Sequence, residues 1–423
     1  MKTNPNTPRI REQRKINIID LLRQRSELLN RIGKVKEALI DQERALSLAR
    51  KDTKKKKEGD CLLLLCAIYE NLSRFAEIKK LSNTARNIFN TVHDKQGRQR
   101  SYMVTGVACL HLNEWKQALD NFQQALKIAK EMNDAAGTSN NLNNIGLVYE
   151  FLDNNEKSLQ YYMEALEIER KNHFNAEMAA TLGNISIIFK KRNDLSKAIM
   201  YGTQALHLNY KIGSRRLYAN NHTNLGNVYK NMGDLTEAVE HYERALEIYR
   251  DIGFRTGEAV ILNNLGVVYV MHCHYAEALE CFRSMVTIMQ ETSSHVHEAI
   301  GLLNIGAIEH QLGDYLKAKT TYEEVLKITT KYGRLNTHLD CLIYLGKLFI
   351  DMGNLPDAAT YLNEALGLAR DKNITECLFS ALQNSVVLSL EKGDLSNARG
   401  YYKEMTSIAK NIATEETNAS TLC

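Results

Sequence analysis

The chain matches itself when displaced by 40 residues, repeatedly and without insertion or deletion, and no other feature constrains its fold as tightly. The column of Gly226 also holds Gly106, Gly146, Gly266, Gly306 and Gly346, with Ser26, Cys66, Ser186 and Val386 as the exceptions. The column of Ala238 holds alanine nearly throughout, from Ala38 to Ala398. A fixed period of this length predicts a row of like units, each burying its apolar face only against its neighbours. The expected division is an N-terminal extension over 1–18, helical near its end, ten 40-residue units over 19–418 forming one solenoid, and a disordered tail at 419–423.

One unit, 219–258, shows the local plan. Leu225, Val228 and Tyr229 lie on one helical face. Gly233-Asp234 breaks that pattern, and Asp234 followed by Glu237 reads as a capping box opening a second helix. The second stripe runs through Leu235, Ala238, Val239, Tyr242, Ala245 and Leu246 until Asp251-Ile252-Gly253 ends it. Each unit is therefore helix, tight turn, helix and a slightly longer turn. Small residues at Gly226, Ala238 and Ala245 let the two antiparallel helices approach closely. The fold class is all-α. Only three prolines occur, and Pro356 falls near the first turn of a helix, where its missing N–H costs nothing.

Charge and cysteine usage limit the partners. The formal charge is +4, but residues 1–60 carry 17 Lys and Arg against 9 acids, much of the excess in Lys54, Lys55, Lys56 and Lys57. With no aromatic platform or nucleic-acid motif nearby, that run reads as a solvated cluster in an inter-helix turn, and no nucleic acid is expected as a partner. The eight cysteines sit in repeat columns as small hydrophobes, which suits a reducing compartment. The N-terminus lacks the apolar core of a signal peptide, and no run approaches a membrane-spanning length. A cytoplasmic location follows as an expectation.

The pattern Leu225, Gly226, Tyr229, Ala238, Tyr242 and Ala245, repeated as Leu265, Gly266, Tyr269, Ala278 and Phe282, resembles the tetratricopeptide repeat. Its period exceeds the usual length of about 34 residues. With Gly253, Arg255, Gly257 and Glu258 in the long turn, it resembles the extended repeat of the LGN/Pins spindle-orientation adaptors and kinesin light chains. The resemblance implies a right-handed superhelical solenoid of about ten antiparallel helix pairs, with the first helix of each pair lining a concave groove.

On that expectation one groove column stands out: Asn144, Asn184, Asn224, Asn264 and Asn304, an asparagine in five consecutive units. Helix interiors disfavour asparagine, and its amide can both donate to and accept from a peptide backbone. Peptide clamping is one reading of the column; hydrogen bonding within the stack is the other. Neighbouring groove positions would set specificity: Lys190, Lys191, Asn227, Lys230 and Asn231 toward acidic residues, and Val267, Met271 and Leu303 toward apolar ones. The expected partner is a protein presenting an extended, acidic and hydrophobic segment, with self-association through terminal units as a further possibility. The Lys and Asn arrangement by which chaperone cofactors hold a terminal carboxylate is not matched, because Asn227 has Thr223 beside it and Lys347 has Ile343.

Catalysis has no foothold in the residues. No phosphate-binding glycine loop, nucleophile elbow or HExxH motif is present, and no cofactor is expected. His272, Cys273, His274 and Cys281 invite a zinc reading, yet His272 and Cys273 belong to a turn, and His295 and His297 lie in a different one. The expected function is a peptide-binding adaptor. A receptor for a peptide signal and a purely structural subunit are the alternatives.

Overall fold

The turns explain the architecture. From residue 73 to residue 393 the chain places a positive-φ residue at every twentieth position, including His93 (φ 53°), Asn113 (59°), Gly233 (81°), Gly253 (68°) and Cys273 (59°). One left-handed residue reverses the chain after a helix, and the next N–H bonds to the carbonyl five residues back, as in Asp94 N to Phe89 O (3.0 Å) and Phe254 N to Tyr249 O (2.9 Å). The following residue often caps the next helix: Asp94, Asp134, Asp194 and Asp234 each accept from the backbone N–H three residues on. Asp234 opens its helix as the sequence predicts.

The computed structural model describes the backbone of residues 8–51, 55–333 and 335–421, and the side chains of 18–51, 55–333 and 335–410. Described residues form α-helices and no strand. Two units divide the chain at Val228/Tyr229, inside one helix. The first contains α1 (Pro8–Arg31), α2 (Val35–Arg50), α3 (Lys55–Asn71), α4 (Phe75–Thr91), α5 (Lys95–His111), α6 (Trp115–Glu131), α7 (Ala135–Phe151), α8 (Asn155–Asn172), α9 (Asn175–Lys191), α10 (Leu195–Ile212) and most of α11 (Arg215–Met232). The second continues from the end of α11 through α12 (Leu235–Asp251), α13 (Arg255–Met271), α14 (Tyr275–Glu291), α15 (His295–Gln311), α16 (Tyr315–Tyr332), α17 (Leu335–Asp351), α18 (Leu355–Asp371), α19 (Thr375–Glu391) and α20 (Leu395–Thr421). Residues 422–423, the end of the expected disordered tail, lie outside the described residues.

Both turns of a repeat prove alike, which corrects the expected longer one. Arg255, Gly257 and Glu258 belong to the first turn of α13, not to a loop. Helices such as α4, α12 and α17 fill 17 residues each. The added length of the period is therefore helical. The lysine run is corrected too: Lys55, Lys56 and Lys57 lie in the first turn of α3 and pair with Glu58, Asp94 and Asp20, while Lys54 lies outside the described residues. Solvation alone does not balance these charges.

Within a pair, the glycine column seats the side chain sixteen residues on, a ring at Gly106, Gly146, Gly266 and Gly306 and Leu362 at Gly346. A Cβ at Gly146 would stand 2.7 Å from the Tyr162 ring, and one at Gly306 would stand 2.6 Å from that of Tyr322. Both rings are fully buried. Where the glycine is replaced, the ring is missing as well: Ser26 faces a repeat with Gln42, Cys66 one with Ser82, and Ser186 one with Gly202. There the substituted side chain donates to the alanine-column carbonyl, Ser26 Oγ to Ala38 O (2.8 Å) and Ser186 Oγ to Ala198 O (2.6 Å). In the last repeat Val386 stands in the glycine column and Tyr402 is 56% exposed.

Candidate functional site

First helices of successive repeats touch at several places, α3 with α5 and α7 with α9 in the first unit, α15 with α17 and α17 with α19 in the second. Second helices pack between their own first helix and that of the next repeat, as α6 does between α5 and α7 and α14 between α13 and α15. First helices thus lie side by side at these places, and the groove columns of the sequence lie on them.

In the first unit, Asn144 on α7, Asn184 and Lys190 on α9, and Asn224 and Asn227 on α11 are all half-buried, while Lys191 is exposed. Asn184 Nδ2 donates to Asn143 Oδ1 of the preceding repeat at 2.9 Å. Asn143 in turn donates to the Thr181 hydroxyl, which donates to Glu169 Oε1 at 3.0 Å. A chain of polar groups thereby runs from the wall into the core. Asn144 and Asn224 make no side-chain hydrogen bond among the described residues. The Lys191 ammonium pairs with Glu150 at 3.0 Å.

Glu169 is fully buried, and its Oε2 has no partner among the described residues. Burial pushes its carboxyl up to about 7, against the opposing effect of the Thr181 hydroxyl, with Glu177 adding a smaller upward push. The next repeat holds a neutral version of the contact, Asn209 Nδ2 to Asn221 Oδ1 at 2.6 Å. Neither Asn143 nor Glu169 stood out in the sequence. The spacing of twelve residues shared by both contacts was the available clue.

In the second unit, Asn264 and Asn304 are half-buried on α13 and α15. Asn304 Nδ2 donates to Asn263 Oδ1 at 3.1 Å, the same link as Asn184 to Asn143, whereas Asn264 makes no side-chain hydrogen bond among the described residues. Val267 is half-buried, and Met271 is exposed along with Asn231. Leu303 is not at an open position: it is 7% exposed and packs with Ala299, Tyr322 and Leu345. Its column is that of Asn143 and Asn263, which faces the following repeat. Lys230 is half-buried and has no carboxylate partner among the described residues, and desolvation holds its ammonium below the usual lysine value.

Among the described residues, no group of three His, Cys, Asp or Glu side chains is placed to hold a metal ion. His295 stacks on Tyr332 at 4.1 Å and contacts Glu298, away from His272 and His274. The seven described cysteines are free. No described helix is long and apolar enough to cross a membrane.

Comparison with known proteins bears on the fold. A solved Rap protein complexed with competence and sporulation factor is 16% identical, with a TM-score of 0.56 over 94% of this chain and 98% of that one. The apo form of the quorum sensor NprR from B. thuringiensis is 15% identical, with a TM-score of 0.55 over 83% and 98%. A signal transduction ATPase with a tetratricopeptide repeat sensor, from Pyrococcus horikoshii, is 14% identical, with a TM-score of 0.59 over 80% of this chain and 54% of that one. At such identities the likeness extends to fold alone. No curated protein matches the sequence significantly. The family anaphase-promoting complex subunit 5 matches residues 87–154. The tetratricopeptide repeat family matches residues 137–209, 217–291 and 298–371, more than half of the sequence in all, and the chain belongs to that family.

Proposed function

We propose that the chain is a non-enzymatic adaptor whose first-helix walls hold an extended peptide segment of a protein partner. The observation that carries this reading is the set of half-buried amides at Asn144, Asn224 and Asn264, which spend no donor or acceptor on their own stack among the described residues. A peptide backbone supplies the complementary pair at each of them. Asn184 and Asn304 serve first as links between repeats. Lys230 favours an acidic residue in the partner, because a carboxylate would compensate the charge that burial disfavours. Val267 and Met271 offer apolar area close by, and Lys191 would have to exchange Glu150 for a ligand carboxylate.

The reading includes a cytoplasmic protein of ten repeats over 19–418, of the extended type seen in LGN/Pins adaptors, with the 40-residue period as its support. A second reading, a receptor for a peptide signal, is favoured by two proteins of like fold, one complexed with competence and sporulation factor and one a quorum sensor. Self-association through a terminal repeat is a further element, supported by the exposed Leu395 and Tyr402 of α20. Peptide-display selection against the wild type and against Asn224→Ala, Asn264→Ala and Lys230→Glu tests the main reading. Loss of the recovered ligands from the variants is expected, and equal recovery rejects it.

A further inference from the structure

The first three repeats carry a cavity where the asparagine column holds Gln24, Leu64 and Val104 instead. Its outer part, about 450 Å³, lies across α1, α3 and α5 and is bordered by Asp20, Arg23, Gln24, Glu27, Asp60 and Arg100. Leu63, Ala67, Met103 and Val104 form a shared edge with an inner chamber of about 170 Å³. That chamber is lined almost wholly by apolar groups, among them Phe75, Ile78 and Val107, with Glu70 the one charged residue. An apolar hole of roughly 150 Å³ is enough to hold a benzene ring. One bulky side chain would fit.

The chamber lies in the repeat that departs furthest from the packing rule. Cys66 replaces the glycine, Ile78 the alanine and Ser82 the ring. Cys66 Sγ points to Ile78 O at 3.8 Å, and Ser82 Oγ meets Thr105 Oγ1 at 2.8 Å, so the position sixteen residues past Cys66 carries no ring to fill the space beside it.

Charge at the mouth selects the ligand. Asp60 is engaged by Arg100 Nη2 at 2.6 Å, and Asp20 by Lys57 at 2.8 Å. Both arginines keep an Nε–H that donates to nothing among the described residues, and Arg23 approaches Asp20 no closer than 3.7 Å. The outer cavity's three carboxylates, Asp20, Glu27 and Asp60, each meet a cation, Glu27 through Arg31 at 2.6 Å, while the Nε donors of Arg23 and Arg100 are left over. Residues 1–60 are strongly basic besides, which would steer an acidic partner toward this end of the first unit.

We propose that this cavity is a separate anchor site for an acidic segment of a protein partner, which seats one large apolar side chain in the chamber and sets a neighbouring carboxylate against Arg23 and Arg100. The proposal rests on the reading of the first helices as a peptide-binding wall and names a subsite of it in repeats where the asparagine column holds Gln24, Leu64 and Val104.

The probe is a fluorescein-labelled acidic peptide with a single central Phe flanked by Asp residues, titrated against the full chain by anisotropy. Ala67 is exposed at the shared edge, so Ala67→Trp should plug the entrance without disturbing the core. It should weaken binding about tenfold or more, as should Phe→Ala in the peptide. Asn90→Trp, at an exposed position of α4 outside the cavity lining, should bind as wild type, and unchanged thermal melts establish that each variant folds. Arg23→Ala should weaken binding less, and the loss should shrink at high salt. Benzoylphenylalanine in place of the Phe should cross-link within residues 63–108. Equal binding by Ala67→Trp, no binding of the probe by wild type, or cross-links elsewhere would overturn the anchor site. Cross-links that fall around Asn224 or Asn264, with binding lost in their alanine variants, would do so while leaving the wider groove reading intact.

Discussion

The amide of Asn184 hydrogen-bonds Asn143 across a repeat boundary at 2.9 Å, and the pair ends in a buried carboxyl through Thr181 and Glu169. An asparagine that looks like a ligand contact is thus also a clamp between repeats. Removing either partner should cost about 1 kcal/mol of stability, and the double variant little more than either alone. Urea denaturation of Asn143→Ala, Asn184→Ala and the pair measures this coupling. Strict additivity would mean that the link carries no energy. Asn144→Ala, without such a bond, should leave the denaturation midpoint nearly unchanged.

Glu169 makes stability depend on pH in a defined direction. Its folded-state value of about 7 exceeds the ordinary carboxyl value, so the folded protein holds a proton that the unfolded chain has lost. Stability from this group is complete below the unfolded value and falls as pH rises toward and through 7. Glu169→Gln should remove that decline and gain on the order of 2 kcal/mol over wild type at pH 8. Melting curves from pH 5 to pH 8 test this; parallel curves for the two proteins would contradict it.

Gly146 and Gly213 separate packing from backbone strain. Gly146→Ala drives a methyl toward the Tyr162 ring and should destabilise by about 1–3 kcal/mol. Gly213 has φ 76° with open space around it, so Gly213→Ala should cost only about 1 kcal/mol, from the left-handed backbone. Chemical denaturation ranks the two. A larger loss at Gly213 would refute the ring-on-glycine account.

Lys230 should behave as a charge held at a cost. Its ammonium titrates below the usual lysine value, so the folded state releases that proton first and gains stability as pH climbs through the depressed value. Lys230→Met should stabilise the protein at neutral pH, flatten the alkaline rise and lose acidic peptides recovered by display. Thermal melts between pH 7 and pH 10 and anisotropy titrations provide the two readouts. Destabilisation by Lys230→Met at pH 7 would point to an ion pair instead.

Much of the fold can be read along the chain because its determinants are local. Gly226, Ala238 and Tyr242 recur at fixed offsets, and a capping Asp such as Asp234 acts within one helical turn. The exchange of Gly and ring for Ser or Cys without a ring, as at Ser186 and Gly202, is also written there, though it becomes intelligible only when the two columns are seen in contact.

Local pattern determined the repeat, its two helices and the wall on which the asparagines stand. Contacts between repeats decided the rest: that Asn184 and Asn304 are tied to a neighbour, that Leu303 turns into the core, that Lys56 and Lys57 meet acids of other helices, and that a chamber opens beside Cys66. Periodicity fixes which side of a helix a residue occupies. The distance to a group some forty residues away depends on how one helix pair settles against the next, and that is set by the summed packing of every side chain between them.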